Sequence, residues 1–440
     1  MEAYKQYFAG KKVTLMGLGL LGRGVGDARF LAPLCKELIV TDLKSEADLA
    51  ESVAQLKEFS NITYHLGGHR LEDFKDRDLI IKAAGVPLNS LFVAEAKKNN
   101  IPVRMSADLF AELSGAAIVG ITGTRGKSTT AQLIAQILED ASKKILLGGN
   151  IRGISTLAQL PEVTPDTIAV LELDSWQLQG FGEAKISPPV AVFTTFMPDH
   201  MNYYKDDMRA YFADKANIFL NQHEDDFLII GAQAAPFIKE YGYESKVKAH
   251  ATVAGVQDIP KSWRLKVSGE HNRYNAGLAV AAARALGIDE GDIQKGVESF
   301  DGVPGRLQLI KKIKGVEIYN DNNATTPDAT IAALRSFPDK KIILITGGAD
   351  KGLWLDELGE EIKKRVFSVI LLPGTGTQRL KSVLTGYLEV PDISFAISEA
   401  LKRTRGDEII LFSPAFASFG LFKNEYDRND QFEAAVAKLS

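Results

Sequence analysis

Short apolar runs recur along the chain, and longer stretches between them carry apolar residues every third or fourth position. That alternation predicts parallel sheets crossed by helices, an α/β fold of doubly wound type. The first block opens with a strand over 13–16, turns at Gly17 and continues to a second strand over 38–42. Further strands are expected at 63–66 and 79–82, a loop at 83–87 and a helix over 90–98. Asn99-Asn100-Ile101-Pro102 then breaks the pattern. A second block starts near Ala111, with a strand, turn and helix over 117–140 and strands at 145–147, 168–171 and 190–194. After an alanine-rich helix over 273–286 comes Phe300-Asp301-Gly302-Val303-Pro304-Gly305, whose glycines and proline predict a hinge. A third block follows, with strands at 316–319, 342–346, 369–372 and 409–412, most of them running into polar or glycine-rich loops. Three domains are therefore expected, over 1–110, 111–301 and 302–440. No internal repeat and no low-complexity tract interrupts them.

Composition agrees with several packed cores. The 440 residues exceed what one hydrophobic core usually serves, and 45 % hydrophobic with 25 % charged residues is ordinary for globular protein. A formal net charge of -4 without long basic runs argues against nucleic acid or an anionic membrane as the main partner. Cys35 is the one cysteine, so no intramolecular disulfide forms. No apolar run reaches the roughly 18 residues of a membrane span, and the opening MEAYKQYFAGKK has no apolar signal core. A cytoplasmic protein without membrane insertion is expected.

The most specific chemistry lies in AIVGITGTRGKSTT, residues 117–130. An apolar strand, a glycine-punctuated turn and a helix start with Gly-Lys-Ser make a polyphosphate cradle, although the strict P-loop spacing fails because Ile121 stands where it wants glycine. Amides around Gly123 and Gly126 can face phosphate oxygens, Lys127 can reach the terminal phosphates, and the Ser128 hydroxyl can ligate magnesium. Gly123, Thr124, Gly126, Lys127, Ser128 and Thr129 are thus the candidate ATP residues. Glu172, at the end of the apolar run IAVLEL, can meet magnesium held by ATP; in isolation it would be a solvated acid. A further strand runs into Asp199-His200. Its tip is expected beside the phosphate-loop strand, so that Glu172 and His200 converge on one metal cluster. Lys215, on a helix pattern with an apolar face, is on general grounds a surface lysine.

Other motifs stay open between readings. Gly17-Leu18-Gly19-Leu20-Leu21-Gly22 with Asp42 after the next strand suits a dinucleotide, a structural turn or a nucleotide-sugar diphosphate. Asn272 and Asn275 share a helical face and can contact an adenine edge, while helix capping by Asn272 is the competing reading. In the third block, Tyr319–Pro327, Gly347–Gly352 and Ser413–Ser418 are polar strand tips expected at one cleft, where lysine, threonine and serine can hold the carboxylates of a small amino acid.

Taken in order, GITGTRGKSTT, ELDSWQLQ, Asp199-His200, Lys215, GEHNRYNA, Gly305-Arg306-Leu307, YNDNNATTPDA, GGADKG and SPAFAS resemble the Mur ligase family over the entire chain. Within it the chain looks most like the members that add D-glutamate; folylpolyglutamate synthase shares the central block but is less like the first. The resemblance implies a Rossmann-like domain for UDP, a central P-loop-type ATPase domain with a mostly parallel sheet, and a C-terminal Rossmann-like domain for the incoming amino acid. It implies transfer of the ATP γ-phosphoryl to the carboxylate of UDP-N-acetylmuramoyl-L-alanine, then attack by D-glutamate, in peptidoglycan precursor synthesis by a monomer.

By matching motifs, Lys127, Glu172, His200 and Lys215 would be catalytic, with Ser128, Glu172, His200 and a carbamylated Lys215 around magnesium. Asn272, Asn275, Arg306 and Asp321 would hold the adenosine, and Thr325, Lys351, Ser418 and Phe419 the glutamate. Gly17, Gly19, Leu20, Leu21, Asp42, Gly85, Asn150 and Gln177 would face the UDP-sugar. Departures from the family pattern fall at Asn323 for a lysine, Gly305 for a histidine, Glu425 for an aromatic residue and Leu43 for a threonine. The competing functions are a Mur-type ligase for another amino acid, a folylpolyglutamate synthase-like ligase, an NAD-dependent oxidoreductase using the first glycine turn, and a non-catalytic ATP switch.

Overall fold

A computed structural model describes residues 3–439; Met1, Glu2 and Ser440 of the expected domain ranges lie outside them. The chain divides into two compact units. One holds the residues up to Pro260 with Asn275–Val297, the other Lys261–Tyr274 with the chain from Glu298 onward.

The first unit contains two sheets. Strands β1 (Lys12–Met16), β2 (Glu37–Asp42), β3 (Ile62–Leu66), β4 (Leu79–Lys82) and β5 (Val103–Arg104) are all parallel, in the order β3-β2-β1-β4-β5. That is a doubly wound order with its reversal beside β1, and the crevice at such a reversal is where ligands settle. Strands β6 (Ala117–Thr122), β7 (Lys144–Gly149), β8 (Thr167–Glu172), β9 (Val190–Phe193), β10 (Phe227–Gly231) and β11 (His250–Ala254) form a second parallel sheet, ordered β11-β10-β9-β6-β8-β7. Apart from Ala117, every residue of β6 is buried, which is why its sequence is an unbroken apolar run rather than an alternation. Asp27, on the helix Arg23–Leu31, joins the two sheets by accepting from Ser106 Oγ at 2.8 Å and Ser155 Oγ at 2.5 Å. The helix Ser106–Leu113 runs through Ala111, and the helix Lys127–Asp140 has the expected bounds.

The second unit has β12 (Gln308–Ile313), β13 (Val316–Asn320), β14 (Lys341–Thr346), β15 (Val366–Leu371), β16 (Leu388–Glu389) and β17 (Glu408–Phe412), ordered β12-β13-β17-β14-β15-β16. Every pair is parallel except β12 with β13, a hairpin turning at Lys314 and Gly315. Strand β17, buried at all five positions, lies between β13 and β14 and brings three loop-bearing strand ends side by side. The α/β class with parallel sheets is therefore as the periodicity predicts. Among the described residues no helix is long and apolar enough to cross a membrane.

Candidate active site

Because β6 lies between β8 and β9, the turn after Thr122 has the ends of both neighbours beside it. Gly126 caps the helix Lys127–Asp140 at φ 89°, and a Cβ there would stand 2.3 Å from Asn275 Oδ1, so only glycine lets the asparagine approach. The tail of β9 clamps the turn. Thr124 N donates to Thr195 O at 2.7 Å, Arg125 N to Thr195 Oγ1 at 2.9 Å, and Thr194 Oγ1 to Arg125 O at 2.6 Å. The amides of Thr124 and Arg125 thus face Thr195. Those of Lys127, Ser128 and Thr129 precede Thr130, whose amide closes the first helical turn on Gly126 O, and they add to the positive potential of the helix N-terminus.

Two lysines meet at this turn. Lys127 Nζ donates to Gly123 O at 3.0 Å and Thr124 O at 3.2 Å, and Lys215 Nζ to Gly123 O at 2.9 Å. The general expectation of a surface position for Lys215 is overturned: on the helix Met208–Ala216 it is 1 % exposed. Burial, and then the charge of Lys127, pull its pKa well below the ordinary lysine value, against the opposing pull of Asp174, Asp199 and Asp214. Glu172 ends β8 in a buried position, and its carboxylate has no hydrogen-bond or ion-pair partner among the described residues. His200, at φ 54°, packs its ring 4.7 Å from that of Trp176, and burial lowers its pKa despite Asp199 beside it. Arg125 Nη1 donates to Asp199 Oδ2 at 3.0 Å. Trp176 Nε1 is buried without a partner. Among the described residues no three His, Cys, Asp or Glu form a metal-binding group.

At the first sheet, Gly19 N donates to Asp42 Oδ2 at 2.9 Å and Lys44 N to Asp42 Oδ1 at 2.9 Å, so the acid braces the glycine turn. Leu20 is exposed and Leu21 half-buried beside it, and Gly85 is exposed in the loop after β4. Asn150 accepts from Arg23 Nη1 at 2.9 Å while its amide donates to Glu172 O at 2.7 Å, linking the glycine-turn helix to the strand that carries the acid. Gln177 Oε1 accepts from Asp174 N at 3.2 Å in a capping box, leaving its NH2 for other work.

In the second unit, Lys351 Nζ donates to Thr325 Oγ1 at 3.1 Å, and paired backbone bonds between Ala349 and Ala417 join the loops after β14 and β17. Ser418 is buried and Phe419 exposed. Asp321 is buried, accepting from Leu307 N at 3.0 Å and Ser413 Oγ at 2.8 Å, and burial raises its pKa to about 7 even with Arg306 nearby. Asn272 sits inside the helix Glu270–Ala285, not at its cap, and donates to Ser268 O at 2.7 Å. The departures at Asn323 and Gly305 are coupled: Asn323 N donates to Gly305 O at 2.9 Å, and a Cβ on Gly305 would meet Asn323 Nδ2 at 3.2 Å. Arg428, 0 % exposed, donates through Nε and Nη2 to Asn322 Oδ1 and O, both at 2.8 Å, and through Nη1 to Phe416 O at 3.0 Å. Sequence reasoning passed over Thr195, Trp176 and Arg428. Thr195 had the one usable signal, a polar residue just past an apolar strand.

The family model of the Mur ligase middle domain matches residues 121–283, and that of the Mur ligase glutamate ligase domain matches 305–416. The UDP-N-acetylmuramoylalanine--D-glutamate ligase of Roseiflexus sp. is 36 % identical, over 98 % of this chain and 99 % of its own. That of Streptococcus sanguinis is 33 % identical, over 98 % of both. The MurF ligase from Thermotoga maritima in complex with ADP superposes with a TM-score of 0.59 at 18 % identity, over 92 % of this chain and 96 % of that one, a likeness of fold. With a glycine turn, two lysines and a partnerless acid assembled at adjacent strand ends, and with relatives of this identity matching from end to end, the chain belongs to the Mur ligase family.

Proposed function

We propose that the protein adds D-glutamate to UDP-N-acetylmuramoyl-L-alanine at the expense of ATP, through an acyl phosphate, as a monomer in the cytoplasm during peptidoglycan precursor synthesis. The observation that carries this reading is the meeting of Lys127 and Lys215 on Gly123 O, with the unpartnered Glu172 opposite Ile121 on the neighbouring strand, in a chain so similar to D-glutamate ligases. A carboxylate resists an amine because oxide is a poor leaving group. Phosphorylation replaces it with phosphate. The turn amides and Lys127 hold the β and γ phosphates in line with the substrate carboxylate, whose oxygen attacks the γ phosphorus as ADP leaves. The amine of D-glutamate then attacks the acyl carbon, loses a proton, and phosphate departs to leave the amide.

Ser128, Glu172, His200 and Lys215 suit magnesium, since Glu172 is a buried acid in want of a cation and the Lys215 amine is disposed to lose its proton. A neutral amine can take up CO2, and the resulting carbamate is an anionic oxygen ligand. The metal would supply charge neutralisation on the phosphate oxygens. Asn275, Asn272, Arg306 and Asp321 serve the adenosine. Asp42, Gly17, Gly19, Leu20, Leu21 and Gly85 serve UDP, with Asn150 and Gln177 on the sugar. Thr325, Lys351, Ser418 and Phe419 serve the glutamate.

The test is phosphate release from ATP with UDP-N-acetylmuramoyl-L-alanine and a panel of amino acids. Release is expected with D-glutamate alone. Equal release with every amino acid, or with none added, would overturn the reading, and preference for another amino acid would reassign the second-unit residues.

A further inference from the structure

Lys82 ends β4 at 2 % exposure, yet forms no ion pair among the described residues. Its Nζ donates to Val86 O at 2.9 Å and Ala84 O at 3.4 Å, and lies 3.6 Å from Met105 Sδ. Both carbonyls belong to the loop 83–87. That loop in turn leans on the glycine turn: Ala83 N donates to Met16 O at 2.8 Å, and a Cβ on Gly17 would stand 2.7 Å from that of Ala83.

A buried cation without a close counter-charge is costly, whereas an apolar residue would fill the same volume without that penalty. What the amine supplies and methionine cannot is a grip on two main-chain oxygens. We propose that Lys82 is a positioning residue for the nucleotide-sugar, holding the loop 83–87 against the glycine turn so that the wall facing the UDP moiety keeps its shape. This rests on the reading that the glycine turn binds UDP.

The acids that pull on Lys82 act beyond hydrogen-bond range: Asp174 and Glu183 at the two ends of the helix Ser175–Ala184, Asp108 on Ser106–Leu113, and Asp214 on Met208–Ala216, with Arg104 paired to Asp108, Lys97 to Glu183 and Lys215 next to Asp214 as the cations nearby. Burial outweighs them and brings the pKa down to about 8. Below that the ammonium donates strongly to both carbonyls; above it a neutral amine donates weakly. UDP affinity therefore falls as pH rises through about 8.

UDP binding to the full chain, measured by calorimetry without ATP at pH 7 and pH 9, tests this. Wild type is expected to lose about fivefold in affinity between the two, the equivalent of one hydrogen bond. Lys82→Met should be weaker by a similar factor at pH 7 and nearly flat with pH, with ATP affinity unchanged and the KM for the UDP-substrate raised more than kcat is lowered. Lys82→Arg, charged at both pH values, should be flat and tight. Should Lys82→Met fail to fold, wild type against Lys82→Arg decides, because a wild-type affinity unchanged from pH 7 to 9 overturns the inference. Equal UDP affinity of wild type and Lys82→Met at pH 7 does so too. Wild type that binds ATP but no UDP at either pH refutes the underlying reading instead, and this inference with it.

Discussion

Lys127 and Lys215 donate to one and the same oxygen, the carbonyl of Gly123, at 3.0 and 2.9 Å. Two ammonium groups on one acceptor repel, and the deeply buried one, Lys215, is the one disfavoured as a cation. Replacing either by alanine should lower turnover by about a hundredfold or more, the scale of losing one charge stabiliser of the transition state. Steady-state kinetics with a circular-dichroism check on folding measure this. Stripping bicarbonate from the buffer should depress wild type and leave the residual rate of Lys215→Ala unchanged; a fully active Lys215→Ala would end its assignment.

Gly126→Ala should raise the KM for ATP sharply. The added methyl stands 2.3 Å from Asn275 Oδ1 at a left-handed backbone, so either the turn or the asparagine must move. About 1–2 kcal/mol of strain, a five- to thirtyfold effect on binding, is expected. UDP affinity, read in the same titration series, should not change.

Asp321 titrates at about 7 in the fold against 3.8 when exposed. As pH rises from about 4, the unfolded chain gives up this proton first, so the folded state binds more protons until about pH 7. Stability should fall across that window and level off above it, by at most on the order of 4 kcal/mol. Asp27, raised to about 6 by burial, adds a slope of the same sign. Melting temperature against pH should therefore be shallower in Asp321→Asn than in wild type, though not flat. Parallel curves would mean that the aspartate is ionised throughout.

Arg428→Met removes donors from Asn322 Oδ1, Asn322 O and Phe416 O at once. Relieving the buried charge, which burial holds to a pKa of about 10, offsets part of the loss. A net destabilisation of about 2–3 kcal/mol is expected from the orphaned acceptors. Because Asn322 and Phe416 lie in the loops that carry Thr325 and Ser418, the KM for D-glutamate should rise. A denaturation curve with an amino-acid titration checks both.

The sheets were legible because a strand buried on both faces leaves an unbroken apolar run, as in β6 and β17, and the turn 122–127 because phosphate chemistry restricts which residues stand at a helix start. The strands β10 and β11 gave no motif to anchor them, and β16 is two residues long, too short to leave a period. The depth of Lys215 was invisible for another reason. The apolar face expected of its helix is not there, since hydrophobicity is nearly uniform around the circumference, and it is the packing of Tyr211 and Phe212 against Phe196 and Phe193 that buries it. Likewise no local pattern forecasts that Asn323 would lean on Gly305, or that Arg428 would reach back across the chain to Asn322, since both depend on contacts remote in sequence.

The pairing of β6 with β8 sets Ile121 opposite Glu172. Side chains on a strand alternate between faces, so a shift by one place would carry the carboxylate to the far side of the sheet while barely changing how much oil is hidden from water. A deletion within Thr167–Glu172 should therefore abolish activity, whereas a residue added at the exposed Pro165-Asp166 turn should be forgiven. What matters to that acid is the rung of the ladder on which it arrives, not the distance the chain travels to reach it.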